Sequence, residues 1–242
     1  MDKSRNQVTS DLKAKRPVWY RFGKMILILI ALIAGIVVWF RWEYPAGILR
    51  YRMTVEVQVG DELRTGSGVI EARYHHNPGW LPGHPVGSRA RGEAVTIDLG
   101  ARGVLFLLLT DSGSGSDAQN IPKRIFNIET WKASVIRDLS DFEAKAEIPF
   151  EDLPMLVQFR NITDPKTVEL VEPDDLAASF GPGVRLKRVI IETTKDPVTT
   201  GIEKRLRWLG RLKGGYLDGA FAGGGPALSN ILHGGNFEIG VN

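Results

Sequence analysis

The sequence predicts an α+β protein, in which an N-terminal transmembrane helix precedes a mainly antiparallel β-sheet domain with a few short helices. Three observations lead to this fold class. A run of 16 uncharged residues lies near the N-terminus, several later segments alternate apolar and polar residues, and helix-starting and helix-ending residues bracket only short stretches. Outside the apolar run and a glycine-rich end, about 160 residues are left, enough for one hydrophobic core.

The uncharged run occupies residues 25–40, and eleven of its 16 residues are Leu, Ile, Val or Phe. Such residues favour membrane insertion by about 3 to 7 kcal/mol in total, and no charge inside the run opposes them. Sixteen residues give only about 24 Å of helix, whereas a bilayer core is about 30 Å thick. The aliphatic stems of Arg21 and Lys24 can lie along the acyl chains, which extends the predicted transmembrane helix to residues 18–40.

A cleaved signal peptide is the competing interpretation of this segment. Cleavage needs small residues at alternate positions after the apolar run, but residues 37–42 read VVWFRW, so we expect an uncleaved anchor. Residues 1–24 contain seven Lys/Arg and two acids, whereas only Arg41, Arg50 and Arg52 follow within twenty residues of the run. This asymmetry predicts a cytoplasmic basic tail and, in a bacterium, a single-pass inner-membrane protein with a periplasmic C-terminal domain.

The charge outside the basic tail excludes one class of partner. Residues 41–242 carry 24 of the chain's 31 Lys/Arg but 26 of its 28 Asp/Glu. The domain therefore has no excess of positive charge for nucleic acid, and we expect the basic tail to meet anionic membrane lipids instead. The chain contains no cysteine, which excludes disulfides, thiolate metal sites and cysteine nucleophiles.

Residues 45–213 are predicted to form an extracytoplasmic α+β domain. Its first part has three alternating segments and one continuous apolar run, which is typical of a strand buried on both faces. We expect these strands to form one antiparallel meander interrupted by a loop over residues 75–88. The four predicted strands cover residues 53–59, 67–74, 93–99 and 104–109.

The second part of the domain begins with a flexible loop at residues 111–117 (DSGSGSD). Strands are predicted at residues 155–160, 167–171 and 184–193, and a short helix between Pro173 and Gly181. Thr200 and Glu203 form a capping-box pattern that predicts a helix to Leu212. Its apolar side is expected to pack on the core, the alternative being a basic surface helix on a membrane. Residues 214–242 are predicted to be a mobile, glycine-rich C-terminal tail.

Two segments resemble those of uncharacterised bacterial single-pass membrane proteins of the cell envelope. They are VEPDDLAASFGPGVRLKRVIIETTKDPVTTGIEKRLRWL at residues 171–209 and YRMTVEVQVGDELRTGSGVIEARY at residues 51–74. The resemblance covers about half of the chain and includes no catalytic motif. It implies an envelope protein and no particular substrate.

The densest group of possible metal ligands is His75, His76 and His84 in RYHHNPGWLPGH. Imidazole groups in such a loop could converge on Zn²⁺ and leave a coordination position for water. The spacing matches no compact metal-binding motif and no acid lies in the segment, so an ordinary exposed loop is the favoured interpretation. A metal-dependent hydrolase centred on these histidines is kept as the alternative function.

The remaining motifs favour structural roles. Asp174 and Asp175 are explained by the electrostatics of a helix N-terminus rather than by Ca²⁺. The Gly-Ser segments lack the spacing of a nucleophile elbow. Ala31 and Gly35, four residues apart in the anchor, could allow two copies of the helix to approach each other. We therefore predict no catalytic residues and no cofactor, and expect a membrane-anchored binding or scaffolding module whose partners are lipids, envelope proteins or a second copy.

Overall fold

The protein is described by a computed structural model covering residues 18–80, 83–111, 117–212, 215–220 and 225–241. The chain divides into two units, one ending at Glu43 and the other beginning at Tyr44. The first contains one helix, and the second contains antiparallel sheets with a few short helices. The predicted α+β fold class is confirmed.

Helix α1 extends over Val18–Glu43 and is 26 residues long. At about 1.5 Å per residue, this length exceeds the thickness of a bilayer core. An 18-residue window of its segment Phe22–Glu43 has a mean hydropathy of 2.5, and the segment exposes its apolar side chains instead of packing them in a protein core. The helix is therefore long and apolar enough to cross a membrane, a criterion that a signal sequence near an N-terminus also meets. The predicted basic tail lies, up to residue 17, outside the described residues.

The larger sheet has six strands in the order β10-β3-β2-β1-β9-β6, and all neighbours are antiparallel. Alternate residues of β1 are buried, in agreement with the predicted strand that has one face on the core. The strands are β1 (Ala46–Val59), β2 (Glu62–His76), β3 (Val86–Glu93), β6 (Lys145–Glu147), β9 (Val184–Thr193) and β10 (Glu238–Ile239).

The smaller sheet has four antiparallel strands in the order β4-β5-β7-β8. It packs against the larger sheet where β4 passes β2. A side chain at Gly66 could not fit there, because its Cβ would lie 2.3 Å from the carbonyl oxygen of Thr96. The strands are β4 (Val95–Asp98), β5 (Val104–Leu107), β7 (Leu156–Phe159) and β8 (Val168–Leu170). The predicted single meander is therefore wrong, since its strands are divided between two sheets and residues 86–88 of the predicted loop belong to β3.

The run at residues 104–109 is buried on both faces, as predicted. Leu105 and Leu107 contribute to the core between the two sheets, whereas Phe106 and Leu108 contribute to a second core. Much of this second core comes from the C-terminal part of the chain, including Leu217, Leu232 and Phe237.

The prediction of a mobile C-terminal tail is wrong for the described residues after Gly214. Phe237 is fully buried, and its ring packs edge-on against those of Phe106 and Trp208. The following residues of β10 pair with β3. A few large apolar side chains thus attach a glycine-rich segment to the domain.

The short helices are α2 (Ile121–Ile125), α3 (Ala133–Asp138), α4 (Leu176–Phe180) and α5 (Leu209–Leu212). The helix predicted after Pro173 begins at Leu176, because the carboxylate of Asp175 accepts a hydrogen bond from the backbone N–H of Ala178. Within the segment 111–117, residues 112–116 lie outside the described residues.

The continuous helix predicted from Thr200 to Leu212 is wrong. Gly201 has a left-handed backbone (φ +118°), and only a 3-10 turn follows before α5. The buried carboxylate of Glu93 accepts the backbone N–H groups of Gly201 (2.7 Å) and Ile202 (2.9 Å), a role the capping-box pattern assigned to local residues. The apolar residues of this segment, among them Leu206 and Trp208, are buried, so the predicted core packing is confirmed.

Tyr51 gives a test of the packing between β1 and Ala118, which directly follows the segment at residues 111–117. Its fully buried hydroxyl donates to the carbonyl oxygen of Ala118 (2.5 Å), and burial raises the pKa of this tyrosine well above its ordinary value. We expect Tyr51→Phe to lower the free energy of unfolding by about 1 kcal/mol, because a buried hydrogen bond is lost. Urea unfolding measures the change. Tyr216→Phe is the control, since that hydroxyl forms no hydrogen bond with another described residue, and an equal loss in both variants would contradict the assignment.

Candidate functional site

The first five residues of β1 have a strand partner on one side only. β1 pairs with β2 along its full length, from Ala46↔His75 to Val59↔Glu62. Its pairing with β9 stops at Tyr51↔Thr193. Beyond that point, the N–H group of Thr194 donates to the carbonyl oxygen of Arg50 (3.0 Å), and the ladder ends.

The direction of the unpaired backbone groups follows from the alternation of an antiparallel ladder. The carbonyl oxygen of Pro45 accepts a hydrogen bond from His76 in β2, so odd-numbered residues of this segment face β2. Even-numbered residues face the other way, as Arg50 does toward Thr194. The N–H and C=O groups of Ile48 therefore point away from β2, and no described residue forms a hydrogen bond with them.

These groups face a groove of about 1010 Å³ that we call the slot. One wall is formed by Ile48, Leu49 and Arg50, the other by residues 139–145, and residues 192–195 line the point where β9 ends. β9 lies between β1 and β6 in the sheet, so its end leaves the first residues of β1 without a strand neighbour on this side. The slot thus begins at the point where β9 ends.

The charges around the slot are mixed. Arg50, Lys145 and Lys195 line it together with the carboxylates of Asp141, Glu143 and Glu192. The ammonium group of Lys145 lies 3.0 Å from the carboxylate of Glu192, which neutralises both. Charge alone selects no ligand here, and the distinctive chemistry of the slot is the pair of backbone groups of Ile48 that bond to no described residue.

Beside the slot, the outer face of the larger sheet carries a buried carboxylate between two arginines. Glu71 is only 1% exposed, and its oxygens accept hydrogen bonds from the Nε atoms of Arg50 (2.8 Å) and Arg73 (2.7 Å). Burial acts to raise the pKa of Glu71, but the hydrogen bonds and positive charges of the two arginines outweigh it and hold this pKa below its ordinary value.

Two further arginines extend this group. The strand register places Arg91 opposite Glu71 and Arg89 opposite Arg73, on the same face of the sheet. No carboxylate of the described residues lies within 4.0 Å of either guanidinium group. We call Arg50, Arg73, Arg89 and Arg91 the arginine cluster. It holds four positive charges around one negative charge, and Arg50 connects it to the slot.

The three candidate histidines do not converge on a common point. His75 and His76 are consecutive residues of β2 and therefore lie on opposite faces of the sheet. The ring of His75 covers Gly87, whereas Nε2 of His76 lies 3.0 Å from the carbonyl oxygen of Thr130. His84 lies in an exposed loop, where its carbonyl oxygen accepts a hydrogen bond from the side chain of Asn77 (2.8 Å). Among the described residues, no group of three His, Asp or Glu side chains could hold a metal ion.

Sequence analysis did not find the slot or the arginine cluster. Two of the four arginines lie in β3, whose sequence VGSRARGE has almost no apolar alternation. The charged residue Glu71 at an internal strand position was the available signal for the cluster. The slot forms because the pairing with β9 stops at Tyr51, whereas β1 already begins at Ala46. No local sequence pattern encodes this difference in length.

Comparisons of the chain with protein-family models, with curated proteins and with solved structures found no match.

The arginine pair around Glu71 predicts a pH-dependent stability. We expect Glu71→Gln to lower the free energy of unfolding by about 2 kcal/mol at neutral pH, because two charge-assisted hydrogen bonds are weakened. The pKa of Glu71 is lowered in the folded state, so its stabilisation is fully present above the ordinary value of 4.5 and is lost as the pH falls through the lowered pKa. The difference between the two proteins should therefore shrink in acid.

Denaturant unfolding at a series of pH values measures this difference. Glu62→Gln is the control, because its ion pair with Arg64 is exposed and should contribute less than about 1 kcal/mol. A difference between wild type and Glu71→Gln that stays constant from neutral pH into acid would contradict the role assigned to the two arginines.

Proposed function

We propose that the protein is a membrane-anchored, extracytoplasmic binding module of the bacterial cell envelope, and that it binds an extended segment of a partner protein in the slot. The observation that carries this proposal is the backbone of β1 at Ile48, which has no strand partner on the side of β9. The anchor is α1, the binding domain begins at Tyr44, and no chemical reaction is assigned to it.

Support for a retained anchor comes from the residues around the C-terminal end of α1. A signal peptidase requires small residues at alternate positions after the apolar run, but α1 continues through Trp39, Phe40 and Trp42. Large aromatic residues at this position are typical of the interface between bilayer and water. Only Tyr44 and Pro45 then precede β1. The excess of basic residues before α1 supports a cytoplasmic N-terminus at the inner membrane.

Support for an extended polypeptide as ligand comes from the backbone of β1. A peptide that continues the line of β9 could form antiparallel hydrogen bonds with the N–H and C=O groups of Ile48, which is recognition by strand addition. The partly exposed Ile48 side chain lies on the wall where such a peptide would pack. Because Arg50 belongs to both the slot and the arginine cluster, acidic residues beside the bound segment would find positive charge.

The second candidate function, a metal-dependent hydrolase centred on His75, His76 and His84, gains no support from the structure. The rings lie on different faces and elements, and the described residues offer no three-ligand group. The slot is lined by no histidine. We therefore do not retain a hydrolase proposal.

Topology gives the first test of the proposed function. We expect alkaline phosphatase fused after residue 242 of the full chain to be active in bacterial cells, because this enzyme folds only outside the cytoplasm, and we expect the fusion to stay in the membrane fraction after carbonate extraction. The control is the same fusion protein with Ile30 and Ile33 both replaced by Lys. This variant should leave the membrane fraction, since two charges oppose insertion by about 5 kcal/mol or more. An active fusion released as a shortened, soluble protein would contradict the anchor.

The slot itself is tested with a photo-crosslinking amino acid at Ser140, an exposed residue of its wall, in the full-length protein in cells. We expect an adduct with another envelope protein. Ile48→Pro should decrease this adduct about fivefold, because proline removes the N–H group that points into the slot, and one hydrogen bond is worth about 1 kcal/mol. The ladder with β2 does not use this N–H group, so the domain should still fold.

Ile48→Ala is the matched control for the proline variant, since it shortens the same side chain and keeps the N–H group. Its adduct should decrease less than that of Ile48→Pro. A crosslinker at Asp61, in the turn at the far end of β1, should give no adduct with the same partner. Equal adducts from the two Ile48 variants, or an adduct whose mass is that of two copies of this chain, would contradict strand addition by an envelope partner.

A further inference from the structure

Two tryptophans are the most exposed large apolar side chains among the described residues of the domain. Trp80 is 74% exposed and Trp131 is 64% exposed, whereas no other large apolar residue after Tyr44 exceeds 49%. Burying an aromatic ring of this size is a large gain in free energy, so a fold that leaves two such rings in solvent has lost that gain unless something else covers them.

The two tryptophans belong to segments that are hydrogen-bonded to each other. His76, four residues before Trp80, places its Nε2 atom 3.0 Å from the carbonyl oxygen of Thr130, the residue before Trp131. Trp80 lies on a loop that is closed at its base, where the N–H group of Asn77 donates to the carbonyl oxygen of Pro85 (2.8 Å). We call Trp80 and Trp131 the tryptophan edge.

The tryptophan edge lies at the end of the domain where the chain enters from α1. The backbone N–H group of His76 donates to the carbonyl oxygen of Pro45 (3.0 Å). Pro45 is two residues after Glu43, the last residue of α1, and two peptide units span at most about 8 Å. Pro45, His76 and Thr130 thus form one hydrogen-bonded series, so the segments that carry both tryptophans are attached next to the connection to the anchor.

We propose that Trp80 and Trp131 insert into the interfacial layer of the bilayer that α1 crosses, and so form a second membrane contact beside the anchor. This inference rests on the proposed function, because it requires α1 to stay in the membrane. Tryptophan is the side chain best suited to this layer, since its ring is apolar and its N–H group meets water and headgroups. The short connection to α1 favours lipid over a protein partner, because only Tyr44 and Pro45 separate α1 from the domain's first strand.

The charge next to the edge fits the same partner. The ammonium group of Lys132 lies 5.9 Å from the centre of the Trp131 ring and is paired with Glu129. A lysine at this position can keep its charge among phosphate groups while the neighbouring ring inserts more deeply. The contact would restrict rotation of the domain about the residues Tyr44 and Pro45.

The test uses the absence of native cysteine, which lets a single introduced cysteine carry an environment-sensitive fluorophore in the full-length protein. The probe position is Gly79, next to Trp80, where an added Cβ meets no atom within 4 Å. The labelled Gly79→Cys protein is reconstituted in vesicles of phosphatidylethanolamine and phosphatidylglycerol that contain a lipid with a nitroxide at headgroup depth. Fluorescence quenching by that lipid reports contact with the interface.

Two other labelled variants make the outcomes distinguishable. Leu32→Cys places the label in the middle of α1, where a nitroxide at acyl-chain depth should quench it, and Asp61→Cys places it at the far end of β1. We expect headgroup-level quenching of the Gly79 label to be about twofold stronger than that of the Asp61 label. Replacing both Trp80 and Trp131 by Ala in the Gly79→Cys protein should remove the difference.

Equal quenching of the Gly79 and Asp61 labels, with the Leu32 label still quenched, would overturn the tryptophan contact and leave the anchor intact. An unquenched Leu32 label would overturn the anchor and with it this inference. Quenching at Gly79 that persists when both tryptophans are replaced would also overturn it, because the rings would then not be the contact.

Discussion

The structure depends on the backbone hydrogen bonds of β1. This 14-residue strand follows α1 after two residues, pairs with β2 over its full length, and presents its alternate side chains to the main core. Buried backbone groups need partners, so a long central strand must be flanked on both sides. β9 meets this requirement only from Tyr51 onward. The slot, its unpaired Ile48 and its connection to the arginine cluster all result from that difference in length.

The strands that could be predicted are those with a simple relation between sequence and burial. β1 and β9 alternate because one face is buried, and residues 104–109 are continuously apolar because the second core covers the other face. The apolar helix was equally visible, since its run at residues 25–40 contains no charged residue. In each case the signal lies within one segment and needs no knowledge of its neighbours.

The features that could not be predicted depend on distant residues. β3 has few apolar residues and is held largely by its pairing with β2. The turn at Gly201 is capped by Glu93, more than a hundred residues earlier, so the local Thr200 and Glu203 pattern was misleading. The glycine-rich end is held by Phe237 in a core whose other members lie elsewhere in the chain. The slot is a space between elements, which tertiary packing alone creates.

The close connection between α1 and β1 has a mechanical consequence. If a bound partner moves relative to the membrane, tension enters the domain at Pro45 and acts along β1. The proposed ligand pairs with Ile48, only three residues after Pro45, so this force would pass through the first residues of β1 and not along the whole hairpin. Resistance to such force is governed by the rate of unfolding and not by equilibrium stability. If the proposed anchor and the proposed ligand site are both correct, the first residues of β1 would carry the load between them.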